Sequence, residues 1–140
     1  MEDRLEILKG LLQKAYRLEV SFESEANFRG FIASLNEEQR KVLFKLISDS
    51  ERHKTVLERI AKDFGFEFGS VSDEFRFSDR RIFNEIYGLE LTAKSLYEQI
   101  VANFGDILGE KATIFREIAK EEEMHAKLVE KFVDRTMRIH

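Results

Sequence analysis

The stretch GFEFGSVSDEFRFS, residues 65–78, interrupts a chain that otherwise reads as helix, and its length decides how the helices are arranged. Phe66 and Phe68 alternate, continuing from Phe64, and Phe75 and Phe77 alternate again. A period of two is the mark of extended backbone laying one edge on an apolar surface. Extended chain covers roughly 3.3 Å per residue, so these residues reach about 46 Å. A helix of about 27 residues is roughly 40 Å long. The connector can therefore run the length of a bundle and leave the helices before and after it parallel. A small β-hairpin or a loose loop is the alternative for the same residues.

Working outward, helix one is predicted from Glu2 to Ala33. Asn36 then reads as an N-cap, with Gln39 three residues later completing a capping box. Helix two continues to Phe64, where Gly65 supplies a stop. Helix three begins after Ser78 and ends at Phe104, before Gly105; helix four runs from near Glu110 to about Met137. Short first and last connections make each joined pair antiparallel. The expectation is one all-α domain spanning residues 1–140, a four-helix bundle with a long crossover between helices two and three.

Composition agrees. There is no Pro, Gly is sparse, and 36% of residues are charged, which suits long helices better than a sheet. The net charge of −4 comes from interleaved signs, so no basic face offers itself to nucleic acid. Without cysteine there is no disulfide, thiolate metal site or cysteine nucleophile. The opening MEDRLEILKG is too charged for a signal peptide, and no apolar run approaches the roughly 18 residues of a membrane span. A soluble cytoplasmic protein is expected. Thirteen Phe are many for one bundle, and Phe28 and Phe31 lie off the apolar seam of helix one, so a homodimer is expected too.

The two halves of the chain resemble each other. YRLEVS at 16–21 aligns with YGLELT at 87–92, and His53 aligns with His125. Glu19 and Glu90 thus correspond. Each lies on the apolar seam of its helix: Leu8, Leu12, Ala15, Glu19 and Phe22 on the first; Leu46, Ser50, His53, Leu57 and Ile60 on the second; Phe83, Tyr87, Glu90, Ala93 and Tyr97 on the third; Ile118, Glu122, His125, Val129 and Phe132 on the fourth. All fall near helix midpoints, which in an antiparallel bundle meet at one level. Glu19, His53, Glu90, Glu122 and His125 are therefore expected in a single interior layer.

Such a layer is costly. Burying an unpaired ion costs several kcal/mol, against a total domain stability of about 5–15 kcal/mol. Lys94, one turn beyond Glu90, cannot serve three carboxylates. Metal explains the layer most simply, and carboxylates with imidazoles and no thiolates suit Fe or Mn, with Zn also compatible.

These residues resemble the ferritin-like di-iron carboxylate family, and within it the small rubrerythrin-like proteins. The family pattern is a Glu on one helix and Glu-x-x-His on the next, used twice. Glu90 with EEMH, supplying Glu122 and His125, matches fully. The first half matches at Glu19 and His53 but reads SERH, with Ser50 where the family has Glu. The resemblance implies two iron ions per chain, with the position relying on His53 the poorer; Asp49 is a substitute ligand, Glu23 a reserve, and Glu51 points outward. Tyr16 and Tyr87 are candidates to hydrogen-bond the seam carboxylates, and Glu121 and Glu123 read as solvated flanks. The implied activity is redox chemistry with peroxide or dioxygen. Electrons would come from an external donor, because no cysteines exist to hold a rubredoxin-type iron. Iron oxidation for storage, or a metal-free helical interaction module, are the alternatives.

Overall fold

A computed structural model describes residues 2–23, 32–68 and 81–134, and four α-helices carry most of them. They are α1 (Glu2–Glu23), α2 (Glu37–Asp63), α3 (Ile82–Leu108) and α4 (Lys111–Glu130), with a 3₁₀ turn at Ile32–Ser34 before α2. Ala33, the predicted end of the first helix, therefore lies in a 3₁₀ turn. Residues 24–31, including Phe28 and Phe31, lie outside the described residues.

Local chemistry sets the helix ends. The Asn36 side chain accepts from Gln39 N–H at 2.8 Å, and the Gln39 side chain accepts from Asn36 N–H at 3.0 Å, so the predicted capping box is present. At the other end Gly65 adopts φ 73°. Phe66 N–H reaches Ala61 O at 2.8 Å and Gly65 N–H reaches Lys62 O at 3.0 Å, closing the last carbonyls in a Schellman motif. At the predicted end of helix three, Phe104 has non-helical angles (φ −130°, ψ 16°). The helix bends there and resumes to Leu108 before Gly109 at φ 58° ends it. α4 stops at Glu130, short of the expected Met137, and turns follow in which Phe132 N–H bonds Val129 O.

Contacts at the ends fix the helix directions. Arg4 at the start of α1 pairs with Asp106 near the end of α3 at 2.8 Å. Tyr16 meets Glu58 while Glu19 meets His53, so α1 and α2 run antiparallel. Lys111 at the start of α4 lies 3.7 Å from Asp63 at the end of α2, and Lys131 pairs with Glu38 at the other end. α2 and α3 are therefore parallel, each antiparallel to both α1 and α4. The chain leaves α2 at one end of the bundle and enters α3 at the other, as the long connector requires. Its first part is not helical: Phe66 and Phe68 pack on the core, with Phe66 stacked on Phe64 and Phe68 against Tyr16. Phe75 and Phe77 lie outside the described residues.

The tightest packing is within the pairs α1–α2 and α3–α4, closed by α1 on α3 and α2 on α4. The apolar interior falls into two parts. One gathers Leu8, Leu12, Leu57, Tyr97, Ile100 and Phe115; the other gathers Phe22, Leu43, Leu46, Phe83, Ile86 and Val129. Each large side chain buried there is worth about 1.5–3 kcal/mol, which lets the bundle tolerate the polar layer lying between the two parts. No helix among the described residues is long and apolar enough to cross a membrane.

The ends of α2 give a direct test. Gly65→Ala forces a side chain into positive φ, although nothing crowds its Cβ, and should cost about 1 kcal/mol. Asn36→Ala should cost a similar ~1 kcal/mol. Both are read as lowered midpoints in urea unfolding with unchanged slope; no loss at Gly65 would contradict the motif described.

Candidate metal centre

The polar layer is built by all four helices: Glu19 from α1, Ser50 and His53 from α2, Glu90 from α3, and Glu122 and His125 from α4. All six are completely buried. The i, i+3 spacing of Ser50 with His53, and of Glu122 with His125, places each pair one turn apart on a single helix face.

Both histidines turn Nδ1 towards the carboxylates. His53 Nδ1 lies 2.9 Å from Glu19 Oε2 and 2.9 Å from Glu122 Oε1. Only the approach to Glu19 has hydrogen-bond geometry. His125 Nδ1 lies 3.3 Å from Glu90 Oε2 and 4.0 Å from Glu122 Oε1. The two rings sit 6.3 Å apart, centroid to centroid. Two groups result in which one ligand atom from each residue lies within 4.8 Å of the others: Glu19–His53–Glu122 and Glu90–Glu122–His125. All five residues singled out from the sequence are thus brought together, and Glu122 belongs to both groups. Glu122 reaches across to His53, so the half with Ser50 also has three candidate ligand groups.

The outer ring nitrogens are held crosswise. His125 of α4 meets Asp49 of α2, Nε2 to Oδ2 at 2.7 Å. His53 of α2 faces Glu121 of α4, Nε2 to Oε2 at 3.4 Å, close enough for an ion pair but without hydrogen-bond alignment. Arg52 spans the two carboxylates, 3.3 Å from Asp49 and in contact with Glu121, and Lys45 adds a second cation 3.3 Å from Asp49. Asp49 therefore sits behind His125, outside both groups, and does not stand in for the carboxylate missing at Ser50. Glu121 is a partner of His53 and Arg52, not a solvated flank; Glu51 is exposed, as expected. The sequence signal was present: Asp49 and Glu121 each lie four residues before a seam histidine, on its helix face.

Tyrosine is redistributed too. Tyr16 donates to exposed Glu58 at 2.9 Å, away from Glu19. Tyr87 packs half-buried on the apolar part around Phe22. The tyrosine near the layer is Tyr97, fully buried, with a hydroxyl that has no partner. From the sequence it is only a seam residue; its hydroxyl on a seam two turns from Glu90 was the available clue. Lys94 lines an outer groove between α3 and α4 with Glu98 and Glu123. The Glu23 side chain lies outside the described residues.

The electrostatics record the strain of the layer. Burial, then the nearby Glu122 charge, raises the Glu19 carboxyl to about 8 despite its bond to His53. The same two causes push Glu90 well above the usual carboxylate range. Burial also pushes the Tyr97 phenol up, and the charges of Glu19, Glu122 and Glu90 add to it. For His53, burial favours the neutral ring, but Glu122 and Glu19 outweigh it and raise the group to about 10. Asp49 and Glu121 go the other way: burial opposes ionisation, but His125 for the first and Arg52 for the second hold them below their ordinary values. Glu19 Oε1, Glu90 Oε1, Glu122 Oε2, Ser50 Oγ and Tyr97 Oη are buried with no hydrogen-bond partner among the described residues. Each such group costs about 1–3 kcal/mol. Oxygens and imidazole nitrogens turned inward in this way fit a pair of metal ions.

Compared with protein-family models, with curated proteins and with solved structures, the chain has no match.

Protein stripped of metal should lose stability as pH rises. Glu19, Glu90 and His53 all bind protons more tightly folded than unfolded. Their stabilising share is whole below the unfolded values, 4.5 for Glu and 6.5 for His, and is lost as pH rises through the folded ones. Asp49 and Glu121, shifted down, matter only in acid. Tm should fall steadily between about pH 5 and pH 9, and a flat or rising curve by scanning calorimetry would contradict the charge assignment.

Proposed function

We propose that this chain is a di-metal carboxylate protein of the ferritin-like, rubrerythrin-like kind, binding two iron ions in the layer and reducing peroxide or dioxygen with electrons from an external donor. The observation that carries the reading is the pair of buried Glu/His groups joined at Glu122. Single-crossover connectivity, which ferritin-like bundles share, supports it as well.

Glu19, Glu90 and Glu122 would hold the ions through their carboxylates, with Glu122 serving both groups, and Nδ1 of His53 and of His125 would supply the nitrogen donors. Glu121 and Asp49 behind the rings fix their orientation. The apolar parts on either side keep bulk water from the layer. The buried Tyr97 hydroxyl, without a hydrogen-bond partner among the described residues, would be a donor available near the carboxylates. A pair of iron ions would supply two-electron exchange with peroxide or dioxygen; Mn suits the same donors, and Zn would bind without redox chemistry. Iron oxidation for storage uses the same residues and is distinguished by assembly into a closed shell. A homodimer is the assembly proposed here, supported by Phe44 and Ile7, each more than half exposed.

A second reading, a metal-free interaction module, is favoured by one fact: both histidines already meet carboxylates on both ring nitrogens. Anaerobic titration with Fe(II), followed by elemental analysis after desalting, separates the two. The di-metal reading expects two ions per chain. Glu122→Ala should empty both halves, because both share it, whereas Glu90→Ala should leave the Glu19–His53 half with metal. Retention of less than a tenth of an ion per chain by the unaltered protein would leave the interaction module standing. Equal losses in Glu122→Ala and Glu90→Ala would show that Glu122 is not the shared ligand.

A further inference from the structure

Ser50 changes the charge of the layer as well as its ligand count. By the internal repeat it occupies in α2 the place that Glu122 occupies in α4, three residues before the seam histidine in each case. It is completely buried, and its hydroxyl has no partner. The carboxylates facing the layer are Glu19, Glu90 and Glu122. Asp49 and Glu121, behind the rings, are offset by Lys45 and Arg52. Two divalent ions would thus meet three negative charges, leaving one positive charge uncompensated among completely buried side chains. An unpaired charge there is strongly disfavoured, so a further anion must accompany the second ion.

Resting on the di-metal reading above, we infer that the layer takes one small carboxylate from solution, of formate size, as a ligand at the place left by Ser50. A glutamate extends beyond the γ position of serine by a single carboxylate group, which is what formate is. An oxygen-donor anion of this kind suits the hard ions that the carboxylates and imidazoles select, and the free Ser50 hydroxyl can donate to it. Formate should bind more tightly than acetate, and acetate more tightly than propionate, because the difference between the serine and glutamate side chains beyond the γ position is a carboxylate alone.

The experiment uses the full chain loaded with Co(II), whose visible absorption reports the ligands without turnover. Sodium formate is titrated at constant ionic strength against a sodium chloride control. The inference expects a saturable spectral change at one formate per two Co(II), absent with chloride. In Ser50→Glu, which brings its own carboxylate, formate affinity should drop at least tenfold; in Ser50→Ala, which keeps the charge imbalance, it should stay within about threefold. Circular dichroism checks that each variant folds. If Ser50→Glu does not, Ser50→Asp replaces it, with the same loss expected. Two bound Co(II) with no formate effect, or a formate effect equal in Ser50→Glu and the unaltered protein, would overturn the inference and leave the di-metal reading intact. Failure to bind Co(II) at all would overturn that reading, and the inference with it.

Discussion

Carboxylates buried without enough cations are the constraint on which the rest of this bundle depends. Glu19, Glu90 and Glu122 have no exposed surface, and one oxygen or more on each lacks a hydrogen-bond partner. Lysines and arginines stay at the edge, where Arg52 and Lys45 balance Asp49 and Glu121. Helix directions, the crosswise hold on the two histidines and the long reach from α2 to α3 together bring these side chains to one level. A bundle selected only for stability would place apolar residues at these positions, as it does one and two turns away at Leu12, Ile86, Phe115 and Ile118.

Much of this was legible in the sequence because helical periodicity and an internal repeat reinforce each other. Glu19 and Glu90 stand out because they break an apolar seam at equivalent points of two similar segments. The α2 ends were legible for a different reason: Asn36 with Gln39, and Gly65, are local signals whose hydrogen bonds depend on few other residues. The bend at Phe104 shows the converse. Gly105 suggests a helix end, but burial of Leu108 and Ala112 against the same core carries the helix past it.

What the sequence hid were relations between helices. Asp49 and Glu121 each look like an ordinary charge beside a ligand position, and only the packing of α2 on α4 shows that each serves the histidine of the other helix. Tyr97 was hidden likewise, because a tyrosine on a seam reads as packing until its hydroxyl is seen without a partner near three carboxylates. Glu122 is the clearest case. Sequence spacing assigns it to His125, three residues away, yet Glu122 Oε1 lies nearer to His53 Nδ1, 2.9 Å against 4.0 Å. Side-chain reach across the bundle outweighed proximity along the chain.

The polar layer also divides the apolar interior, with Leu12, Leu57 and Phe115 on one side and Phe22, Leu46 and Ile86 on the other. Among the described residues, half-buried Leu89 packs on both parts, a thin hydrophobic link between the two ends of the bundle. The four backbones crossing the layer connect them, and so does whatever neutralises its charges. Cooperativity of unfolding thus depends on how the layer's charges are matched. With its charges matched, the bundle opens as one unit; with them unmatched, each end acquires its own opening equilibrium and its own amide-exchange rate.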